Sequence, residues 1–306
     1  MTEKENFNEK FKDILGSESS YEFFLKIQFL IPKYSKKSDP EFFSFIKFAL
    51  NHLISLKEKE SVSTILDLSI KNYKKNHKTK NIPDPNLFLK SFQEIFKSLP
   101  EEMDKSYFKY TFLELCETNN ITEDVLFNQN IYYDFAIDSI KNNFLAEGYR
   151  FSMKAMKLDA IKSVVNKILV DDKIKMDCKE KNVFIARTCL EILVNKNVEI
   201  ALDFISSFIS TKNNFEDNQP LLNMCYLMCN LLKDNNCSFE KFNELTLTYK
   251  SCIEKSEKNL KKYINKISSD RFNKIVFLDA NNPLGGFNFF NMMKLVTNLA
   301  NQFGGD

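Results

Sequence analysis

The chain has no Trp, two His and no excess of either charge, and each shortage removes a class of function. His52 and His77 stand beside no Cys or carboxylate arrangement that would fix a metal or activate a nucleophile, so neither is read as catalytic or ligating. A net charge of +2 makes no long-range field to draw in nucleic acid or an anionic membrane. The seven cysteines, Cys116, Cys178, Cys189, Cys225, Cys229, Cys237 and Cys252, are odd in number and form no dense framework. That pattern suits a reducing compartment and predicts no disulfides. The first six residues are charged and carry no apolar core, so neither a signal peptide nor secretion is expected, and the sequons at Asn120 and Asn236 carry no weight. The most apolar run, Leu221 to Leu232, falls short of the roughly 20 residues that span a bilayer and reads as a helix buried on nearly every side. Gly285-Gly286 lacks the glycine spacing and Lys-Ser/Thr ending of a phosphate loop. Cys225 and Cys229 share a helix face but offer two thiolates where a zinc site takes about four ligands, so they read as core packing. No catalytic residue, cofactor or metal is expected, and the chain is not read as an enzyme.

What is present is helix-forming pattern and core material, with 43% hydrophobic residues and 30 Phe in 306. The absence of Trp beside abundant Phe, Lys, Asn, Ile and Tyr reads as nucleotide bias in the source genome, so single Lys or Asn runs are discounted. A new amphipathic helix begins roughly every twenty residues. The clearest starts are Asp39-Pro40-Glu41 and Asp84-Pro85, where Asp can accept from orphan helix N–H groups and Pro takes the first helical position. A short helix is expected from Phe7 to Leu15. The next, from Ser19 or Ser20 to Tyr34, carries the stripe Phe24, Ile27, Ile31 and Tyr34, with Pro32 expected to kink or shorten its last turn. The third presents Phe42, Phe45, Ile46, Ala49 and Leu53, the fourth Val62, Ile65, Leu66 and Ile70, and the fifth Phe88, Phe92, Ile95 and Phe96. Pro100-Glu101-Glu102 is read as opening a sixth, with acidic residues at the positive end of its dipole. Thr122, Asn130, Glu147 and Asp159 stand near later starts.

Paired, these helices repeat at about forty residues, the range of helical-hairpin solenoids. No alternating strand run appears. The expected fold is all-α: a right-handed α-solenoid of stacked helical hairpins, a TPR-like superhelix. Val170 to Lys181 breaks into charge and reads as a connector between an N-terminal half, 1–175, and a C-terminal half, 176–306. Further helices are read at Phe184–Leu193, Val198–Phe208, Leu221–Leu232, Phe239–Ile253 and Leu260–Ile267. Pro283-Leu284-Gly285-Gly286 then interrupts before a last apolar segment, Phe287 to Ala300. The densest basic run, Lys71, Lys74, Lys75, His77, Lys78 and Lys80, reads as a solvated helix C-terminus or as a docking patch for an acidic partner or phosphate backbone. Nucleic-acid binding would want exposed aromatics among such charges, and the aromatics here lie on core stripes.

Several strings together resemble the helical scaffold of the tail-anchored-protein targeting pathway, the Golgi-to-ER-traffic scaffold that is a subunit of the transmembrane-domain recognition complex. They are Phe184, Ala186, Leu190 and Leu193 followed by Lys196-Asn197; Gln219-Pro220-Leu221-Leu222-Asn223; Tyr263 with Lys266-Ile267; and Gly285-Gly286-Phe287. The N-terminal half resembles the family more loosely through Tyr21-Glu22, Leu30 and Lys33-Tyr34. It departs from the pattern at Phe24-Leu25, where the family has a polar His-Gln pair, at Gln28, where it has a basic residue, and at the inserted Pro32. The resemblance implies an α-solenoid without catalytic activity, working in the cytosol without entering a membrane. It implies docking of a targeting ATPase through the N-terminal half, with Tyr21, Lys26, Lys33 and Tyr34 as the candidate contacts. It also implies a ubiquitin-like adaptor or larger chaperone subunit on the C-terminal half, with Leu222, Asn223, Tyr226, Phe239, Phe242 and Tyr249 as candidates. The C-terminal residues suit a groove that accepts an apolar helix face, and the lysines suit a charged, reversible contact. Two other readings stay open at this point: a helical-repeat adaptor of another assembly, and an RNA-associated repeat protein.

Overall fold

The computed structural model describes residues 16, 19–77, 85–101, 103–118, 120–128, 130–209 and 219–277. Among them lie fifteen α-helices and no strand, and the chain divides into two compact units after Ala155. The first unit holds α1 (Ser20–Tyr34), α2 (Asp39–Ser55), α3 (Lys59–His77), α4 (Pro85–Ser98), α5 (Ser106–Thr118), α6 (Glu123–Asn128), α7 (Ile131–Lys141) and α8 (Leu145–Ala155). The second holds α9 (Leu158–Val170), α10 (Cys178–Val194), α11 (Val198–Ser206), α12 (Pro220–Lys233), α13 (Phe239–Thr248), α14 (Lys250–Ser256) and α15 (Lys258–Phe272). The expected helices at Phe7–Leu15 and Phe287–Ala300, the Asp84 cap and the Gly285-Gly286 pair fall outside the described residues.

Packing in the first unit runs between neighbours and next-but-one neighbours: α1 with α2 and α3, α2 with α3 and α4, α3 with α5. The repeat is visible in its polar ties, which join residues about forty apart. Asn76 Nδ2 donates to Ser35 Oγ at 2.7 Å, Gln93 Nε2 to Asp134 Oδ2 at 2.5 Å, and Lys141 Nζ to Glu101 Oε1 at 2.8 Å. In the second unit Cys225 Sγ lies 3.7 Å from the Ala186 carbonyl and Cys189 Sγ 3.7 Å from Cys229 Sγ. The all-α helical-repeat reading is borne out.

The faces read for α2, α3 and α4 are buried as expected. Their rings join a continuous aromatic core through Phe43, Tyr73, Phe88, Phe92, Phe108 and Phe112 to Phe135 and Phe151, at centroid spacings between successive members from 4.7 Å for Phe88–Phe92 to 6.4 Å for Phe108–Phe112. Edge and offset contacts of this kind add to the gain from area alone. The core of the second unit is aliphatic and sulfur-rich instead, with Cys189, Leu190, Ala201, Met224, Cys225, Met228, Cys229 and Ile264 all buried.

Several expectations are corrected by local chemistry. The buried stripe of α1 is Phe23, Ile27, Ile31 and Tyr34, while Phe24 is half-buried. Pro32 lies inside α1, which continues to Tyr34 and ends at Ser35, whose N–H bonds the Ile31 carbonyl. Ser19 is the N-cap, its hydroxyl accepting from Glu22 N at 3.1 Å. Ser38 rather than Asp39 occupies the N-cap position of α2, so Asp39 is itself the first helical residue. Pro100 begins a turn closed by Met103 N on the Pro100 carbonyl, and the helix waits until Ser106, where Asp104 Oδ1 accepts from Ser106 N. The charged run read as connector to Lys181 ends sooner, because Asp177 and Glu180 form a reciprocal capping box that opens α10. Tyr249 breaks the helix read over Phe239–Ile253 into α13 and α14.

With six Gly in the whole chain, helices must stop without the residue that turns most cheaply. Lys57, Asn120, Asn143 and Lys196 adopt φ of 57–62° just past α2, α5, α7 and α10. Each sits in the same paired closure, as where Glu58 N bonds the Leu53 carbonyl and Lys57 N the Ile54 carbonyl. Asn tolerates this left-handed conformation better than other non-glycine residues, so part of the Asn abundance has structural use.

Candidate partner-binding surfaces

The outer face of α1 carries a second apolar stripe. Tyr21, Leu25 and Phe29 recur at four-residue steps on the side away from the core and are 68%, 44% and 83% exposed. Of the residues read for this end, Tyr21 belongs to the stripe and Lys33 is exposed. Lys26 pairs with Glu22 at 2.7 Å, an i,i+4 contact on the helix surface. Tyr34 is a core residue, stacked on Phe45 at 4.1 Å, and presents little to any partner. Leu25 and Phe29 were missed because α1 is apolar on two faces, and one stripe was enough to satisfy the periodicity.

The basic run at the end of α3 is partly neutralised by the chain itself. Lys71 pairs with Asp67, and Lys74 with Glu114 of α5. His52, on α2, rests against the Phe23 ring at 4.3 Å, and burial lowers its pKa.

In the second unit Leu222 and Phe242 are fully buried, so both are packing residues. Phe242 meets Phe272 of α15 at 5.3 Å, and the half-buried Phe239 lies between Phe272 and Lys274. Asn223, Tyr226 and Tyr249 are half-buried. Asn223 and Tyr226 lie on the open side of α12 with Leu227, 38% exposed, and Asn230. The helix read as buried nearly all round thus keeps one accessible face. Leu247, on the adjoining α13, is 48% exposed.

Reactive chemistry is sparse on these surfaces. Cys189, Cys225 and Cys229 are buried together, and the neighbouring thiols together with burial push the Cys189 pKa well up, which keeps it protonated and unreactive. Among the described residues no group of three or more His, Cys, Asp or Glu could hold a metal ion. The dense charged cluster lies instead inside the first unit, between α5, α7 and α8. Lys109, with no exposed surface, reaches Asp138 at 2.8 Å, Glu147 at 2.7 Å and Ser139 Oγ at 2.6 Å. Lys105 pairs with the other Asp138 oxygen at 2.9 Å. Two cations and two carboxylates compensate one another, so this is a packed joint between repeats.

Burial raises the Glu147 pKa, but hydrogen bonds from Lys109, Ser139 and Tyr110 outweigh it and leave the carboxyl below its ordinary value. A lowered folded pKa adds stability that is complete above the unfolded value of about 4.3 and is lost as pH falls through the folded one. Acid titration of unfolding is expected to show this loss below about pH 4.3. Glu147→Gln should flatten the stability profile in that window, and an unchanged profile would contradict the assignment.

The model of the family described as Golgi to ER traffic protein 4 matches residues 142–293. Over this stretch the chain is similar to the Golgi to ER traffic protein 4 family. The matched residues take in α8 to α15 and every C-terminal string on which the resemblance rested, while Tyr21 to Tyr34 lie outside them. No curated protein matches the chain. Among the described residues no helix is long and apolar enough to cross a membrane.

Proposed function

We propose that this chain belongs to the Golgi to ER traffic protein 4 family and is a non-catalytic cytosolic scaffold in the delivery of tail-anchored membrane proteins to the endoplasmic reticulum. It holds a targeting ATPase through residues 1–175 and a ubiquitin-like adaptor or larger chaperone subunit through residues 176–306. The observation that carries the reading is the family match over 142–293. Two all-helical units, each with an accessible apolar face, support it physically.

A scaffold of this kind acts by raising effective concentration: once one partner is held, meeting the other becomes an intramolecular event. On the ATPase side the stripe Tyr21, Leu25 and Phe29 supplies burial, with Lys33 at its end for orientation. On the adaptor side Asn223, Tyr226 and Leu227 of α12 offer an apolar centre with a polar edge, the composition of a stable interface core and rim. Tyr34, Leu222 and Phe242 act in this reading only by holding those helices in place.

The test is affinity purification of the full-length chain and of a Tyr226→Ala, Leu227→Asp variant, with partners identified by mass spectrometry. The variant is expected to lose the adaptor and keep the ATPase. Recovery of neither partner by the unaltered chain would remove the reading, and loss of the ATPase with retention of the adaptor would reverse the assigned partition.

A further inference from the structure

A groove of about 960 Å³ opens in the second unit where residues 174–176, α10, the first turn of α12 and the end of α14 meet. Its surface is largely apolar: Phe184 and Leu221 are buried, Met176 and Val183 half-buried, and Ile174 is 40% exposed. Its size lies near the top of the ~300–1,000 Å³ range of sites that enclose most of a ligand. None of the six residues read for the adaptor side lines it.

The charges that line the groove do not balance. Lys175, Lys179, Arg187 and Lys255 stand there with two carboxylates, Glu180 and Glu257, and both carboxylates are already engaged. Glu180 Oε2 accepts from Asp177 N at 2.9 Å in the capping box of α10. Glu257 Oε1 accepts from Asn259 Nδ2 at 2.9 Å and lies 3.8 Å from Arg187, which is itself held over the Phe184 ring at 5.2 Å. Lys175, Lys179 and Lys255 are exposed and form no ion pair with another described residue. The turn that carries Lys175 is built by local bonds: Asp171 Oδ1 accepts from Lys173 N at 2.9 Å, and Ile174 N bonds the Asp171 carbonyl at 3.0 Å. Lys175 then takes a left-handed φ of 42°, which a lysine keeps only where its surroundings impose it. An exposed isoleucine and an unpaired lysine are thereby held together at the groove's edge.

We propose that the groove docks an acidic amphipathic segment of another protein, its apolar side chains set against Ile174, Met176, Phe184 and Leu221 and its carboxylates against Lys175, Lys179 and Lys255. Charge selects this occupant. Three unpaired lysines around an apolar surface repel a basic helix, and a wholly apolar one would desolvate them without compensation, whereas carboxylates complete them. Two copies of the chain set groove to groove would bring like charges together. A nucleic-acid strand would meet the same cations but no free ring to stack on, since Phe184 is buried and covered by Arg187. The inference goes beyond the scaffold reading and does not depend on it.

The test is fluorescence anisotropy of two labelled peptides on the isolated full-length chain. Each peptide, about sixteen residues long, has leucines at i, i+4, i+7 and i+11; one carries glutamates between them and the other lysines. The acidic peptide is expected to bind about tenfold more tightly than the basic one and to weaken as salt rises. Lys179→Glu with Lys255→Glu, at two exposed positions, is expected to weaken it by about tenfold, as is Ile174→Asp, while Lys233→Glu at the far end of α12 should leave it unchanged. Equal binding of the two peptides, or binding indifferent to the lysine reversals or to Ile174→Asp, would overturn the proposal. So would displacement by a single-stranded RNA oligonucleotide but not by unlabelled acidic peptide, or a dimer of the unaltered chain that Ile174→Asp dissolves. Neither the ATPase nor the adaptor is present, so failure here leaves the scaffold reading standing.

Discussion

Lys109→Met is expected to destabilise the first unit by about 3–5 kcal/mol, read as a drop in the midpoint of urea unfolding. The side chain has no exposed surface and serves two carboxylates and a hydroxyl. Removing its charge leaves Glu147 buried against Ser139 and Tyr110 without a cation, while Asp138 keeps Lys105 alone. The cost comes from the stranded carboxylate more than from the attraction lost, since desolvation of an uncompensated charge dominates in such sites. The double change Lys109→Met, Glu147→Leu should therefore recover much of the loss. If Lys109→Met alone costs less than about 1 kcal/mol, water reaches the cluster and it is no packed joint.

Phe29→Asp should weaken ATPase binding by about thirtyfold or more, the loss of a central aromatic contact worth about 2 kcal/mol. Phe29 is 83% exposed, so the same change should move the unfolding free energy by no more than about 0.5 kcal/mol. The contrast between the two readouts separates a contact residue from a packing residue. Titration calorimetry against the purified ATPase measures the first and chemical denaturation the second. Binding that survives Phe29→Asp unchanged would show that the ATPase does not use the outer face of α1.

The repeat and most of its core could be read from the sequence because helix periodicity is a local property. Phe42, Phe45, Ile46, Ala49 and Leu53 point one way whatever lies beyond them, and all five are buried. The reading slipped on α1, where adjacent Phe23 and Phe24 and a second stripe at Tyr21, Leu25 and Phe29 allow two registers of the same pattern. It also slipped at Pro100, where a proline followed by two acids imitates a helix start, while the side chain that meets the first N–H belongs to Asp104. The charged cluster was illegible for a different reason. Lys105 and Lys109 stand four residues apart, as on any solvated face, and the carboxylate that buries Lys109 lies 38 residues away at Glu147. The candidate contacts fared likewise: Leu222 and Tyr226 belong to one apolar run, and only the neighbours of α12 decide which of them faces outward.

The second unit closes on itself, because α15 packs not only beside α13 and α14 but against α10, five helices earlier. In an open row of hairpins the terminal hairpin touches its neighbour alone and can peel away without disturbing the rest. Here the end of the row is fastened to a helix that also carries α11 and α12, so detaching it strips apolar cover from the middle of the unit. Fraying from that end is suppressed, and the unit melts as one cooperative block. In the proposed scaffold such a latch keeps the grip of the second unit from loosening by stages.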